Sequence, residues 1–197
     1  MILMRLVRSF RRRQIGWKVS WPVLKKNPMD TALLLLCMLA WATGLVVYFG
    51  FPQTISRFNL PLAAWIRWGG FALGLCGVAL LGWADHTLGE NLSISLRVRP
   101  DHTLIANGPY RRIRHPIYAA GLLFSAGISL LAANALFAAC FLGSIIPFYV
   151  ARIRKEERMM LTEFGEAYRQ YMQRTGRILP RLRQTAEMPL DSDRVHS

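Results

Sequence analysis

Residues Ile117–Ala151 form a run of 35 positions without a single charged side chain. No water-soluble domain of ordinary size needs such a run, and one bilayer crossing uses only about 20 residues. Asn134 stands at its centre, which divides it into two apolar segments, 117–133 and 135–151. Each would be roughly 25 Å long at about 1.5 Å per helical residue, short but workable as a tight helical hairpin with local thinning of the bilayer. Two further apolar segments precede it. Thr31–Ser56 is free of charge, and Leu60–Ala84 carries only Arg67. With 53% hydrophobic residues over 197 positions, the chain reads as an all-α integral membrane bundle of about four spans, near 31–50, 60–84, 117–133 and 135–151.

Charge placement supports that count. Eight of the 25 Lys and Arg residues lie in 1–30, five in 85–116 and ten after Ala151, whereas 51–59 holds one and the Asn134 turn none. Positive charge alternates from one side to the other with each span, so both termini are expected on the cytoplasmic side. The pattern fits a bacterial inner membrane, and also an endoplasmic reticulum membrane. The net charge of +14 is placed to orient spans and meet anionic lipid, and without interleaved aromatic residues it does not indicate a nucleic-acid partner. Cys37, Cys76 and Cys140 fall inside spans and read as small buried hydrophobes. His86, His102, His115 and His196 are scattered, so no metal site is expected.

Three units follow. Residues 1–30, with Trp17 and Trp21, suit a basic interfacial segment. Residues 31–183 form the membrane domain, and 184–197 a polar, disordered tail. Within the second span, Gly70-Phe-Ala-Leu-Gly74 is a small-xxx-small pattern that lets another helix approach closely, and Gly77 and Gly82 extend that surface. Arg67 lies near the outer end of the span, where it can snorkel. Beyond Ala151 the last helix continues: Leu161, Phe164, Tyr168 and Tyr171 recur at helical spacing, Gly165 weakens it slightly, and Gly176 and Pro180 end it.

The chemistry gathers where the 35-residue run meets polar sequence. Before it stands Gly108-Pro-Tyr-Arg-Arg-Ile-Arg-His-Pro-Ile-Tyr118, and after it Arg152-Ile-Arg-Lys-Glu-Glu-Arg158. If Asn134 is the outer turn, His115 approaches Glu156 and Glu157 despite some forty intervening residues. Pro116 suits the first helical turn, where its missing N–H does no harm, and the helix N-terminus favours an anionic group. Arg111 and Arg112 serve membrane orientation, and Arg114 is the candidate functional cation, able to fork onto a carboxylate or phosphate. Adjacent glutamates diverge by about 100° on a helix, so one of Glu156 and Glu157 should face a pocket while the other pairs with Arg152, Arg154 or Arg158.

Gly108-Pro-Tyr110, Arg114-His-Pro116 and Tyr118, followed by Glu156-Glu157, Phe164-Gly165, Tyr168, Tyr171, Thr175, Arg177 and Pro180, resemble the signature of the isoprenylcysteine carboxyl methyltransferase family. Leu104 and Asn91 also resemble positions of its bacterial members, and Met160 stands where a leucine is common. The resemblance covers roughly 90–180 and implies a methyltransferase that uses S-adenosyl-L-methionine from a cytoplasm-facing pocket. It implies cofactor contacts at Gly108, Pro109, Tyr110, His115, Pro116, Tyr118, Glu156, Glu157 and Tyr168, with Arg114 and Glu157 catalytic. The implied acceptor is lipophilic and enters from the bilayer, most naturally the carboxylate of a prenylated cysteine, transferred to by in-line displacement. A phospholipid amine or a thiol acceptor, an NADPH-dependent membrane reductase, and a non-catalytic module that holds membrane lipids are the competing readings.

Overall fold

The computed structural model describes residues 28–88 and 104–181. The expectations for the N-terminal basic segment with Trp17 and Trp21, for Asn91 and for the tail after 183 lie outside those residues. The described chain is helical. It runs through α1 (Pro28–Gly50), the short α2 (Pro52–Ile55), α3 (Ala64–Leu88), α4 (Pro116–Ala132), the single turn α5 (Ala135–Ala138) and α6 (Ser144–Arg174). Three helices, Met29–Gly50, Ala64–Leu88 and Ala135–Arg174, are long and apolar enough to cross a membrane, and Pro116–Ala132 is a shorter apolar helix. Large apolar side chains such as Leu36, Leu39, Val46, Trp65, Trp68 and Leu75 point outward. Apolar residues on every face are what a helix surrounded by lipid requires.

The boundaries differ modestly from the sequence expectation. The first span begins at Pro28, and the second at Ala64 after an irregular loop, ending at Leu88. The final helix does not start cleanly at 135. A five-residue π turn, Ala139–Gly143, separates α5 from α6, and Pro147 lies inside α6. Proline supplies no N–H for the carbonyl four residues back, and a wide turn just before it is a common way to absorb that defect.

Asn134 does more than mark a turn. Ala133 ends α4 in the left-handed conformation at φ 50°. Asn134 then caps α5, its Oδ1 accepting from the Phe137 N–H at 3.0 Å. Its Nδ2 donates to the Ile55 carbonyl at 2.8 Å and to Asn59 Oδ1 at 2.9 Å. The Leu60 N–H donates to the Ala133 carbonyl at 2.7 Å. The two non-site turns are therefore tied together, as expected if both lie on one side of the bilayer. On the opposite side, Lys155 of α6 pairs with Asp30 in the first turn of α1.

The chief partner of α4 is α3 rather than α6, which corrects the picture of a tight hairpin between the last two spans. Small residues explain the choice. A Cβ on Gly127 would stand 2.4 Å from the Gly74 nitrogen and 2.6 Å from the Gly70 oxygen, and one on Gly77 would stand 2.8 Å from the Ala120 oxygen. Backbones touch there, as small-xxx-small surfaces allow. Gly82, in contrast, faces open space. Between α4 and α6 the gap is filled by a side chain: Tyr149 Oη occupies the space where a Gly121 Cβ would point. Rings of Trp41, Phe137 and Phe141 stack between α1 and the start of the last helix. Arg67 does not simply snorkel. Its Nε donates to the Leu131 carbonyl at 3.0 Å, satisfying an orphan acceptor at the end of α4.

Gly127→Ala is expected to destabilise the protein by about 1–3 kcal/mol, the usual range for overpacking a close contact, while Gly82→Ala is neutral. Thermal melting of both variants in detergent checks this. Equal melting temperatures would refute the backbone contact.

Candidate active site

Two short segments far apart in sequence are clipped together where α4 begins. The backbone of 112–115 runs beside 176–177 in a parallel bridge between Ile113 and Gly176. Gly176 N–H donates to the Arg112 carbonyl at 3.1 Å. Arg114 N–H donates to the Gly176 carbonyl at 2.8 Å, and His115 N–H to the Arg177 carbonyl at 2.9 Å. Two local features make the clip possible. Gly165 adopts φ 50°, ψ −120° within α6, a region open in practice only to glycine, so the helix changes direction there. This corrects the expectation of a mildly weakened helix. The helix then ends at Arg174, where Thr175 turns extended and its hydroxyl donates to the Tyr171 carbonyl at 2.6 Å. The predicted inward face holds: Tyr168 is buried and Leu161, Phe164 and Tyr171 are half-buried, while Glu163, Glu166 and Arg169 are exposed.

The clip carries Arg114 and His115 onto the two glutamates of α6. Glu157, only 5% exposed, accepts from Arg114 Nε at 3.0 Å and from Arg177 through Nε at 2.9 Å and Nη2 at 2.7 Å. Arg114 Nη1 also donates to the Met172 carbonyl at 2.9 Å and to the Thr175 carbonyl. Glu156 accepts from Arg152 Nε at 3.1 Å and from the Tyr118 hydroxyl, which itself accepts from Arg152 Nε at 2.8 Å. His115 lies between the carboxylates, with Nδ1 3.6 Å from Glu156 Oε2 and Nε2 3.6 Å from Glu157 Oε1. Its ring stacks on Tyr118 with centroids 5.6 Å apart.

Both glutamates therefore face His115 and both have basic partners, which corrects the expectation that only one would turn inward. The 100° between them is spanned because one imidazole fits in the angle. Arg152 is the partner of Glu156, whereas Arg158 Nε turns back to the Arg154 carbonyl. Pro116 occupies the first turn of α4 as expected. Gly108, at φ +53°, makes the turn that buries Pro109 and Tyr110, and a Cβ there would meet Thr87 Oγ1 at 2.7 Å. Gly108 and Pro109 thus build the turn and sit outside the charged cluster. Tyr110 joins it indirectly, its carbonyl accepting from the Tyr171 hydroxyl at 2.7 Å, and Tyr171 packs against the buried Tyr168. Arg177 and Tyr171 had no role assigned from sequence, although both stand in the second motif.

The apolar part of the last helix stops at Ala151, so these groups lie beyond the spanning segment. Burial opposes ionisation of Glu157, but the nearby His115 imidazole and the hydrogen bonds from Arg177 and Arg114 outweigh it and hold its pKa at about 2. Glu156 is also lowered: burial pushes it up, and His115, Tyr118 and Arg152 more than reverse that. Burial would lower His115, yet its contacts with Glu156 and Glu157 raise it above 6.5. Burial raises the phenols of Tyr110, Tyr168 and Tyr171, so all three are neutral.

The signs give a pH window. The His115 contribution to stability is complete below 6.5 and is lost as pH rises through its raised folded value. The glutamate contributions are complete above 4.5 and are lost as pH falls, for Glu157 only toward about 2. Stability of the cluster should therefore be greatest between about 4.5 and 6.5, and should decline from 6.5 upward until the folded value of His115 is passed. Melting temperature against pH tests this, with His115→Gln expected to lose the alkaline decline. An unchanged decline in that variant would assign it to another group.

Residues 70–162 match the model of the isoprenylcysteine carboxyl methyltransferase family. Over this stretch, just under half of the chain, the sequence is similar to that family. The chain is 30% identical over 118 residues to protein-S-isoprenylcysteine O-methyltransferase B of Arabidopsis thaliana, covering 59% of this chain and 60% of the relative. It is 26% identical over 160 residues to protein-S-isoprenylcysteine O-methyltransferase of Tribolium castaneum, covering 80% and 54%. The solved structure of the eukaryotic intramembrane Ras methyltransferase, an isoprenylcysteine carboxyl methyltransferase, superimposes with a TM-score of 0.57 at 26% identity, covering 78% of this chain and 53% of that one. The chain thus spans between half and two thirds of the length of these three relatives. The isoprenylcysteine carboxyl methyltransferase match includes Gly108–Tyr118 and Glu156–Glu157, but stops before Arg177 and the rest of the clip.

Proposed function

We propose that this membrane protein transfers a methyl group from S-adenosyl-L-methionine to a lipophilic acceptor, the carboxylate of an isoprenylcysteine-like molecule, at the membrane face that carries both termini. One observation supports this most: both motifs of the family resemblance converge on one charged cluster, in which His115, Glu157 and Arg114 are shielded, Glu156 and Arg152 half-buried and Arg177 exposed.

The residues fit the cofactor. Its amino-acid end bears an ammonium and a carboxylate, and the cluster offers carboxylates and guanidiniums a few ångströms apart. His115 Nε2 is buried without a hydrogen-bond partner among the described residues, an orphan polar atom that a bound ligand can satisfy. Glu156 and Glu157 would hold the ammonium or ribose hydroxyls, and Arg114 or His115 the carboxylate. Tyr110, Tyr118 and Tyr168 would provide aromatic walls for the adenine. When bound, the cofactor supplies a methyl group made electrophilic by a sulfonium.

A carboxylate acceptor needs no general base. The protein's work is to align it, exclude water and hold its charge in place. Arg114 suits that task because its Nε and Nη1 are anchored on Glu157, Met172 and Thr175. The lipid tail would enter sideways from the bilayer.

Calorimetric titration of detergent-purified protein with S-adenosylhomocysteine, with NADPH in parallel, tests the class. Saturable binding of the first alone is the expected result. Binding of NADPH alone would move the protein to the reductases. Transfer of labelled methyl to an S-prenylated N-acylcysteine, compared with a phospholipid amine and a lipophilic thiol, then decides the acceptor.

A further inference from the structure

Beside the clip lies a cleft of about 670 Å³ whose lining includes Arg114, Arg169, Arg177 and Arg181, with Leu161 and Met172 as apolar wall. No carboxylate lines it among the described residues. Glu157 neutralises Arg114 and Arg177 from behind, on the buried side. Among the described residues, Arg169 and Arg181 have no such buried counterion. Arg169 reaches Glu166 only at 3.9 Å with both side chains about two-thirds exposed, and Arg181 donates to the neutral Gln173 carbonyl. The outer half of the cleft is therefore a concentration of positive charge with spare donors.

Its position narrows what could enter. The floor is Arg114, Thr175 and Gly176, and the clip fixes these next to His115 and Pro116, the last residues before the apolar run begins at Ile117. The cleft consequently opens at the level of lipid headgroups. Between Arg177 and Arg181 the chain turns and presents Leu179, 77% exposed, at its tip. An apolar tip flanked by arginines is the arrangement of a segment seated in an anionic interface.

We propose that this cleft binds the phosphate of an anionic lipid headgroup, held by Arg169 and Arg181, with Leu179 in the adjoining acyl region. Arginine forks match phosphate oxygens in pairs, and Leu161 and Met172 offer contact for the glycerol carbons. The inference requires no methyl transfer and stands apart from the function proposed above.

The full chain is placed in nanodiscs containing phosphatidylcholine and phosphatidylglycerol, and retained lipid is read by native mass spectrometry for wild type and for Arg169→Gln/Arg181→Gln. Each basic residue near an anionic surface contributes about fivefold in affinity, so the double variant should lose roughly 25-fold in selectivity for phosphatidylglycerol. S-adenosylhomocysteine binding serves as the separate readout of the cofactor site and should survive the double substitution. Displacement of the retained lipid by inorganic phosphate would keep the phosphate chemistry but overturn the lipid as its source. Displacement by S-adenosylhomocysteine would give the cleft to the cofactor and overturn the proposal. Equal selectivity in wild type and variant would overturn it as well, locating lipid preference elsewhere in the chain.

Discussion

Glu157→Gln should abolish S-adenosylhomocysteine binding and methyl transfer, and lower stability by about 3 kcal/mol, the low end for breaking a buried ion pair. The low end is appropriate because one partner, Arg177, is 56% exposed and can rehydrate, whereas Arg114 is 6% exposed and cannot. Glutamine keeps the shape but offers one acceptor oxygen for three guanidinium N–H groups, and turns an amide donor toward the others. His115 also loses one of the two carboxylates that raise its pKa, so it should titrate closer to 6.5 in the variant. Melting, cofactor titration and a histidine-resolved NMR titration together check the result. A variant that melts and binds like wild type would remove Glu157 from the site.

Gly176→Ala should be nearly as damaging, although the residue touches no reacting group. A Cβ there would lie 1.7 Å from the Leu179 carbonyl oxygen and 2.9 Å from its carbon. Those are backbone atoms, so the turn itself must move. The movement would strain three hydrogen bonds of the clip, each worth about 1 kcal/mol, and take Arg177 away from Glu157. Cofactor affinity should fall by more than tenfold while the transmembrane helices stay folded. Gly143→Ala, on a position facing open space, is the matched control. Unchanged affinity in Gly176→Ala would mean that the clip does not position the site.

The spans were legible because their signal is coarse: long charge-free runs and alternating positive loops survive any detail of packing. The convergence of His115 with Glu156 and Glu157 was legible for a related reason, since equal run lengths on either side of Asn134 return the chain to the same depth. What could not be read was direction. The preference of α4 for α3 depends on Gly127 meeting Gly70 and Gly74 across two helices, and only one half of that contact forms a pattern within a single helix. Gly165 looks from sequence like a weak helical residue, yet its positive φ redirects the segment. The role of Arg177 follows from that redirection, so it too was invisible until the end of α6 could be placed beside Ile113. Gly108 stands in the first motif with a positive φ that gives it a backbone role, and residue type alone does not separate such a role from ligand contact.

Asn134 has a consequence for how such a protein is made. Its amide donates to Ile55 and Asn59, residues that a chain threaded N-terminus first delivers long before Asn134 itself. The first pair of spans is therefore a waiting template, and the last pair meets ready partners for its one strongly polar turn as it enters. In the opposite order that buried amide would lack both acceptors, at a cost of about 1–3 kcal/mol. A single side chain thus gives biogenesis a preferred direction.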